Sequence, residues 1–321
     1  MLIFSLAILA GLILLVLSAD RFVVGSAAIA NNFGVPHIII GVTIVSLGTS
    51  APEIIVAIFA ALDDKIEIAM GNAIGSNIAN IGLVLGITAL IAPIPISKRL
   101  IINENLIMLG VAILAGLVLF NYIIGFIESL SLVLCLAVFL AWIYVQHKRA
   151  NGSDAEFEED IPSDMTNSKA LVLFVLGLAV LIGSARLLVW GAVGIANQYA
   201  ISEAIIGATI IAIGTSLPEL AASVASALKK HHDIAIGNIL GSNIFNLLAV
   251  LAVPGLIAPG GFAAEVFSRD YWFMLAISLV LFAALFIQGK RNAKLGRYLG
   301  TFFVVSYAVY GYIVFLAATA V

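Results

Sequence analysis

The chain has 321 residues and a mass of 33.6 kDa; 63% of its residues are hydrophobic, 10% are charged, and its mean hydropathy is +1.18. Soluble domains are roughly 45–50% apolar and about 25% charged, so this composition excludes a soluble globular protein. The formal net charge of -3 offers no basic footprint for nucleic acid, and the single cysteine, Cys135, excludes an intrachain disulfide and a cysteine-based metal cluster.

Crossing a hydrocarbon layer about 30 Å thick takes roughly 20 apolar residues of helix. Runs of that kind, bounded by polar, Pro or Gly punctuation, fall near 1–31, 36–62, 67–92, 100–120, 124–146, 168–198, 202–228, 234–258, 270–288 and 297–319. The expected fold is an all-α polytopic membrane protein of ten transmembrane helices. No Lys or Arg precedes the first run and no small-x-small site follows it, so it reads as a retained helix and not as a cleaved signal. The one markedly hydrophilic stretch, 147–169, carries Asp154, Glu156, Glu158, Glu159, Asp160 and Asp164 without apolar periodicity. It reads as an acidic linker, since the Asp-x-Asp-x-Asp-Gly spacing of a calcium loop is missing. Segment 1–146 is then one five-helix half and 170–321 the other.

Eleven basic residues (Lys98, Arg99, Lys148, Arg149, Lys169, Lys229, Lys230, Lys290, Arg291, Lys294 and Arg297) fall in loops on one side, against Lys65 and Arg269 on the other. The positive-inside rule places the linker in the cytoplasm of a cell membrane, with both termini outside. The two halves enter the membrane in opposite senses, which makes them inverted-topology repeats.

An internal repeat supports that division. Gly41-Val-Thr-Ile-Val-Ser-Leu-Gly-Thr-Ser-Ala-Pro-Glu53 matches Gly207-Ala-Thr-Ile-Ile-Ala-Ile-Gly-Thr-Ser-Leu-Pro-Glu219 at eight of thirteen positions, and Gly71-Asn-Ala-Ile-Gly-Ser-Asn-Ile-Ala-Asn80 matches Gly237-Asn-Ile-Leu-Gly-Ser-Asn-Ile-Phe-Asn246 at seven of ten. Both blocks share an offset of 166 residues. Secondary transporters are often built from such repeats, with the substrate site at their midplane interface.

The first blocks set Thr, Ser, Pro and Glu inside an apolar helix. Pro52 and Pro218 lack an N–H, so the carbonyls of Gly48 and Gly214 lose their helical donors and become potential cation ligands. Helical spacing brings Thr49 and Ser50 to the face of Glu53, and Thr215 and Ser216 to that of Glu219. A carboxylate in a bilayer is expensive and marks function by default; the bland alternative is a pair of carboxyls that stay protonated, or pair with Arg21 or Arg186, merely to pin helices together. Oxygen ligands suit hard cations, and two carboxylates balance one divalent ion. In the second blocks, the glycines fit close helix packing; Ser76 with Asn80 and Ser242 with Asn246 present neutral oxygens on shared faces. Asn72, Asn77, Asn238 and Asn243 serve either as ligands or as braces. His37, His147, His231 and His232 read as interfacial, and Asp20 with Arg21 as a local pair or a snorkelling Arg.

The paired G-T-S-x-P-E and G-N-x-x-G-S-N-I-x-N blocks resemble the alpha repeats of the sodium/calcium exchanger family, within the calcium/cation antiporter superfamily. The resemblance covers the whole chain. It implies a ten-helix inverted-repeat fold whose second, third, seventh and eighth helices form the core while the first and sixth slide across it. It implies exchange of Na+ for Ca2+ by alternating access, with Glu53 and Glu219 as shared carboxylates and Thr49 and Thr215 giving backbone carbonyls to Ca2+. By the same resemblance Ser50, Ser216, Ser76 and Ser242 give hydroxyls to Na+, Ser46 and Ala212 give carbonyls, and Asn80 lines the centre. Several microbial members and the potassium-dependent branch have Asp at the position of Asn246, whereas animal sodium/calcium exchangers resemble this chain there.

Competing readings use the same two Glu for H+/Ca2+ exchange or for K+-coupled or other cation exchange; a cation channel is a weaker one. No Gly-x-Ser-x-Gly, His-Glu-x-x-His or P-loop is present, so neither an enzyme nor an ATP-driven pump is expected. The expected partners are Ca2+, Na+ and the lipid bilayer, with no nucleic acid, no obligate protein partner and no cofactor.

Overall fold

A computed structural model describes residues 2–96, 98–149, 165–199 and 212–319. Most of the acidic linker (150–164) and the start of the second repeat's first block (207–211) lie outside them. The described chain is almost wholly helical. Its helices are α1 (Leu2–Asn32), α2 (His37–Thr49), α3 (Ala51–Leu62), α4 (Ile66–Ile91), α5 (Lys98–Leu119), α6 (Phe126–Arg149), α7 (Asn167–Gln198), α8 (Ala212–Thr215), α9 (Leu217–Leu228), α10 (His232–Ile257), α11 (Val266–Lys290) and α12 (Arg297–Thr319).

Among the described residues seven helices are long and apolar enough to span a membrane, or eight with the bent pair α2–α3 counted as one. The predicted second span is therefore broken. Its axis turns by 44° at Ser50, whose φ of -81° and ψ of 4° leave the helical region. The cause is local: Pro52, in the first turn of α3, has no N–H to continue the preceding ladder. Ser216 repeats the break with φ -86° and ψ 3°, ahead of Pro218. Helices α6 and α7 run to Arg149 and from Asn167, into the ends of the predicted linker, and α11 starts at Val266, four residues before the predicted 270.

Helices α4 and α10 are the most enclosed, with 72% and 83% of their spanning windows buried, against 11% for α12. In α10 the second-block glycines admit a neighbouring backbone; their counterparts in α4, Gly71 and Gly75, expected to pack as closely, meet nothing within 4 Å, and it is Gly82 and Gly86 of α4 that α12 approaches. A Cβ on Gly237 would stand 2.9 Å from the Ile38 carbonyl, and one on Gly241 would stand 2.4 Å from that of Val42, both in α2. The outer helices instead present Leu, Ile, Val and Phe outward, which suits a surface solvated by lipid. Two short antiparallel ladders tie the halves together: β1 (Ile94–Pro95) pairs with β4 (Lys294–Leu295), and β2 (Ile123–Ile124) with β3 (Gly260–Gly261).

Helices α1 and α7 lie antiparallel along their length, and their contacts obey the 166-residue offset. Gly11 faces Leu188 while Gly177 faces Phe22; Gly25 faces Phe174 while Gly191 faces Ile8. Within each pair of contacts, 11 and 177, 22 and 188, 25 and 191, and 8 and 174 each differ by 166. The repeat thus extends beyond the two conserved-looking blocks into helices whose sequences show it only faintly.

Candidate cation-binding site

The two broken helices meet at their breaks. Glu53 in the first turn of α3 and Glu219 in the first turn of α9 are each only 1% exposed, and Glu219 lies close enough to Glu53 to repel it. The halves exchange ligands: Ser50 Oγ donates to Glu219 Oε1 at 3.1 Å, and Thr215 makes a cross-half contact with Glu53. Thr49 Oγ1 donates to Asn238 Oδ1 at 3.1 Å and to the Ser46 carbonyl at 3.3 Å. Among the described residues neither Arg21 nor Arg186 forms an ion pair with either Glu, so the Arg-paired form of the pinning alternative finds no support.

Of the second-block residues, Ser76 and Asn80 on α4 and Ser242 and Asn246 on α10 are all buried. Asn80 and Asn246 each open a π-helical turn, Asn80–Leu85 and Asn246–Val250, a local widening common at functional sites. Buried oxygens without a hydrogen-bond partner concentrate on the repeated residues: Glu53 Oε2, Glu219 Oε2, Ser216 Oγ, Ser242 Oγ, Asn80 Oδ1 and Asn246 Oδ1. Asn80 Nδ2 and Asn246 Nδ2 also lack a partner; buried polar atoms are ordinarily satisfied, so the open oxygens suit a cation while the two amides leave donors open beside them. Among the described residues there is no group of three or more His, Cys, Asp or Glu. The set is oxygen-only, with two carboxylates and neutral hydroxyl and amide oxygens, which is the chemistry of hard cations.

Several expectations are corrected. The Gly48 carbonyl, expected to be open below Pro52, accepts a backbone N–H at the break, because the turn at Ser50 tightens and supplies another donor. The Ser46 carbonyl accepts from both Ser50 N, at 2.9 Å, and Thr49 Oγ1. Ala212 begins α8, but its side chain lies outside the described residues. The asparagines divide. Asn72 Nδ2 donates to the Glu53 carbonyl at 3.0 Å and Asn238 Nδ2 to that of Glu219 at 3.4 Å, so both brace the Glu-bearing turn; Asn77 and Asn243 bond Met274 Sδ and the Ile239 carbonyl. Asp20 pairs with Lys229 at 2.7 Å instead of with its neighbour Arg21, because adjacent residues on a helix point about 100° apart. His231 lies at a loop end as expected, at the N-cap of α10, but is 6% exposed there with its ring 5.8 Å from that of His37; the His147 side chain lies outside the described residues.

One side of the site adjoins a cavity of about 300 Å³, walled by Pro52, Val56, Gly214, Thr215 and Pro218 and by Arg186, Val189 and Trp190 of α7. Sequence reading missed this wall, since no spacing rule shows which face of α7 stands off from the core.

The profile of the family described as sodium/calcium exchanger protein matches residues 3–145 and 169–316. The chain is 38% identical over 315 residues to the inner membrane protein YrbG of Escherichia coli, covering 97% of this chain and 96% of that protein. It is 30% identical over 312 residues to the sodium/calcium exchanger MaX1 of Methanosarcina acetivorans, with 86% and 89% covered. A solved structure of the sodium-calcium exchanger NCX_Mj, soaked with Na+ and Sr2+, superposes with a TM-score of 0.82 at 35% identity, over 96% of this chain and 97% of that one. With the helical membrane architecture and the paired carboxylate site already in place, these matches make the chain a member of the sodium/calcium exchanger protein family.

Proposed function

We propose that this protein is a secondary antiporter that exchanges Na+ for Ca2+ at the site between α3 and α9, opened alternately to the two sides of a cell membrane. The observation that carries the reading is the pair Glu53 and Glu219, each 1% exposed and each in contact with a hydroxyl of the opposite half. Two buried negative charges cost several kcal/mol unless cations balance them, so occupancy by one Ca2+ or by Na+ ions is what permits closure over the site. In this reading Thr49, Thr215 and Ala212 supply backbone carbonyls, Ser50, Ser216, Ser76 and Ser242 supply hydroxyls, and Asn80 and Asn246 supply amide oxygens.

The architecture proposed is ten spans in two inverted five-helix repeats, 1–146 and 170–321, joined by the linker 147–169. The two-fold contact register of α1 and α7, the paired breaks at Ser50 and Ser216 and the crossed ladders β1–β4 and β2–β3 all support it. With the Lys- and Arg-rich loops in the cytoplasm and both termini outside, the cavity beside Thr215 faces outward. Three Na+ would leave the site at +1 and one Ca2+ would leave it neutral, so such a stoichiometry would move net charge.

The test is 45Ca2+ uptake into proteoliposomes loaded with Na+ and diluted into Na+-free, K+-free buffer. Uptake that needs internal Na+ and is lost in Glu219→Gln supports the reading. Uptake driven by an imposed pH gradient alone assigns proton exchange to the same carboxylates, and uptake that appears only with K+ assigns potassium coupling.

A further inference from the structure

The 166-residue register that organises the site also places four charges outside it. Position 20 on α1 corresponds to position 186 on α7, and position 229 after α9 to position 63 after α3. The backbones agree. Asp63 and Lys229 cap their helices with ψ of 12° and 5°, and the next residues, Asp64 and Lys230, both take positive φ, 56° and 65°. Lys65 and His231 then bond back to Ala60 and Ser226 at 2.8 Å each. The same turn therefore ends both Glu-bearing helices, at opposite ends of the molecule.

The charges on this frame are exchanged. At one end the acid is on the long helix (Asp20) and the base on the turn (Lys229), and they pair at 2.7 Å. At the other end the base is on the long helix (Arg186) and the acid on the turn (Asp63). Both are exposed, and among the described residues neither forms an ion pair or hydrogen bond. Arg186 also lines the open cavity together with Val189, whereas Val23, the counterpart of Val189 one turn from Asp20, is 0% exposed. The paired end is the closed end.

From this we infer that Asp20–Lys229 and Arg186–Asp63 are reciprocal latches, each formed only when its own end is closed, so that these four positioning residues set the balance between the two access states. The inference rests on the alternating-access reading but on no particular transported ion. A rigid α1–α7 pair, locked by interdigitated glycines, satisfies one latch or the other, and a swap that conserves opposite charge at each end keeps both attractive.

The experiment follows alkylation of Val189→Cys, on the cavity wall, by a membrane-impermeant maleimide in proteoliposomes of Cys135→Ser protein. Asp20→Asn weakens the closed end of the observed state, and labelling is expected to slow by about two- to fivefold, the range of a partly exposed ion pair. Adding Asp63→Asn removes the competing latch and returns the rate to that of the parent. The charge exchange Asp20→Lys with Lys229→Asp keeps the parent rate and serves if the neutral variant fails to fold. An unchanged rate in Asp20→Asn, or an Asp20→Asn/Asp63→Asn protein as slow as Asp20→Asn alone, would overturn the inference. Labelling needs no ion gradient, so a failed flux test with intact labelling shifts condemns the Na+/Ca2+ reading and leaves the latches standing.

Discussion

Val23 on α1 and Val189 on α7 are the same residue at corresponding points of the two repeats, yet Val23 is wholly buried and Val189 is only half-buried on the cavity wall. Thr49 and Thr215 differ in the same direction. Gly48 and Gly214, also equivalent, both approach α7, at Leu178 and Val189, where a symmetric arrangement would send one of them to α1. Local sequence gives both halves the same break, the same turn and the same pairing register. The seating of α1 and α7 over the core then breaks that symmetry. A symmetric seating would open both ends or neither, and a transporter with both ends open would leak its gradient.

That contrast is testable, beginning with the largest effect. Glu53→Gln and Glu219→Gln should each abolish Na+-driven Ca2+ uptake, since the two carboxylates act as one site despite lying in differently exposed halves; an active Glu53→Gln protein would break the equivalence. Next come the glycines of the α1–α7 contact. A Cβ at Gly177 would lie 2.7 Å from the Phe22 backbone nitrogen, against 3.0 Å from Leu188 at Gly11. Gly177→Ala and Gly11→Ala should each cost about 1–3 kcal/mol in detergent unfolding, with Gly177→Ala the worse. Smaller still is the pair of braces. Asn238 is bonded to the Glu219 carbonyl, Ser223 and Thr49, whereas the counterpart of Ser223 beside Asn72 is Ala57. Asn238→Ala should therefore cost about 2 kcal/mol and Asn72→Ala about 1 kcal/mol, measured the same way.

Much of the site was legible from residue type and spacing. Glu, Ser, Thr and Pro inside apolar runs have few structural excuses, and their recurrence at one offset named Glu53, Glu219, Ser50 and Thr215 before any coordinates. The division of the asparagines was not legible, because Asn72 and Asn80 differ by only eight residues and both are amides. Only the packing of α4 against α3 turns Asn72 toward the Glu53 carbonyl and leaves Asn80 without a partner at a π-helical turn. Likewise the sequence offers Asp20 its neighbour Arg21 as the near partner, while the structure pairs it 209 positions away, with Lys229. The exchanged charges at 20, 186, 63 and 229 were present in the register all along, but offset arithmetic carries no meaning until the turns are seen to superpose.

The sequence by itself determined the membrane as solvent, the apolar helical runs, the loosened turns ahead of Pro52 and Pro218, and the identity of the buried carboxylates. These follow from local chemistry: apolar length, a missing N–H at proline, and the expense of charge in hydrocarbon. Tertiary structure decided which carbonyls stay open, which asparagine braces, which end is closed and which ion pair is made. Those depend on how two halves of nearly equal local preference seat against each other, a difference of packing between alternatives that the repeated sequence leaves close in energy.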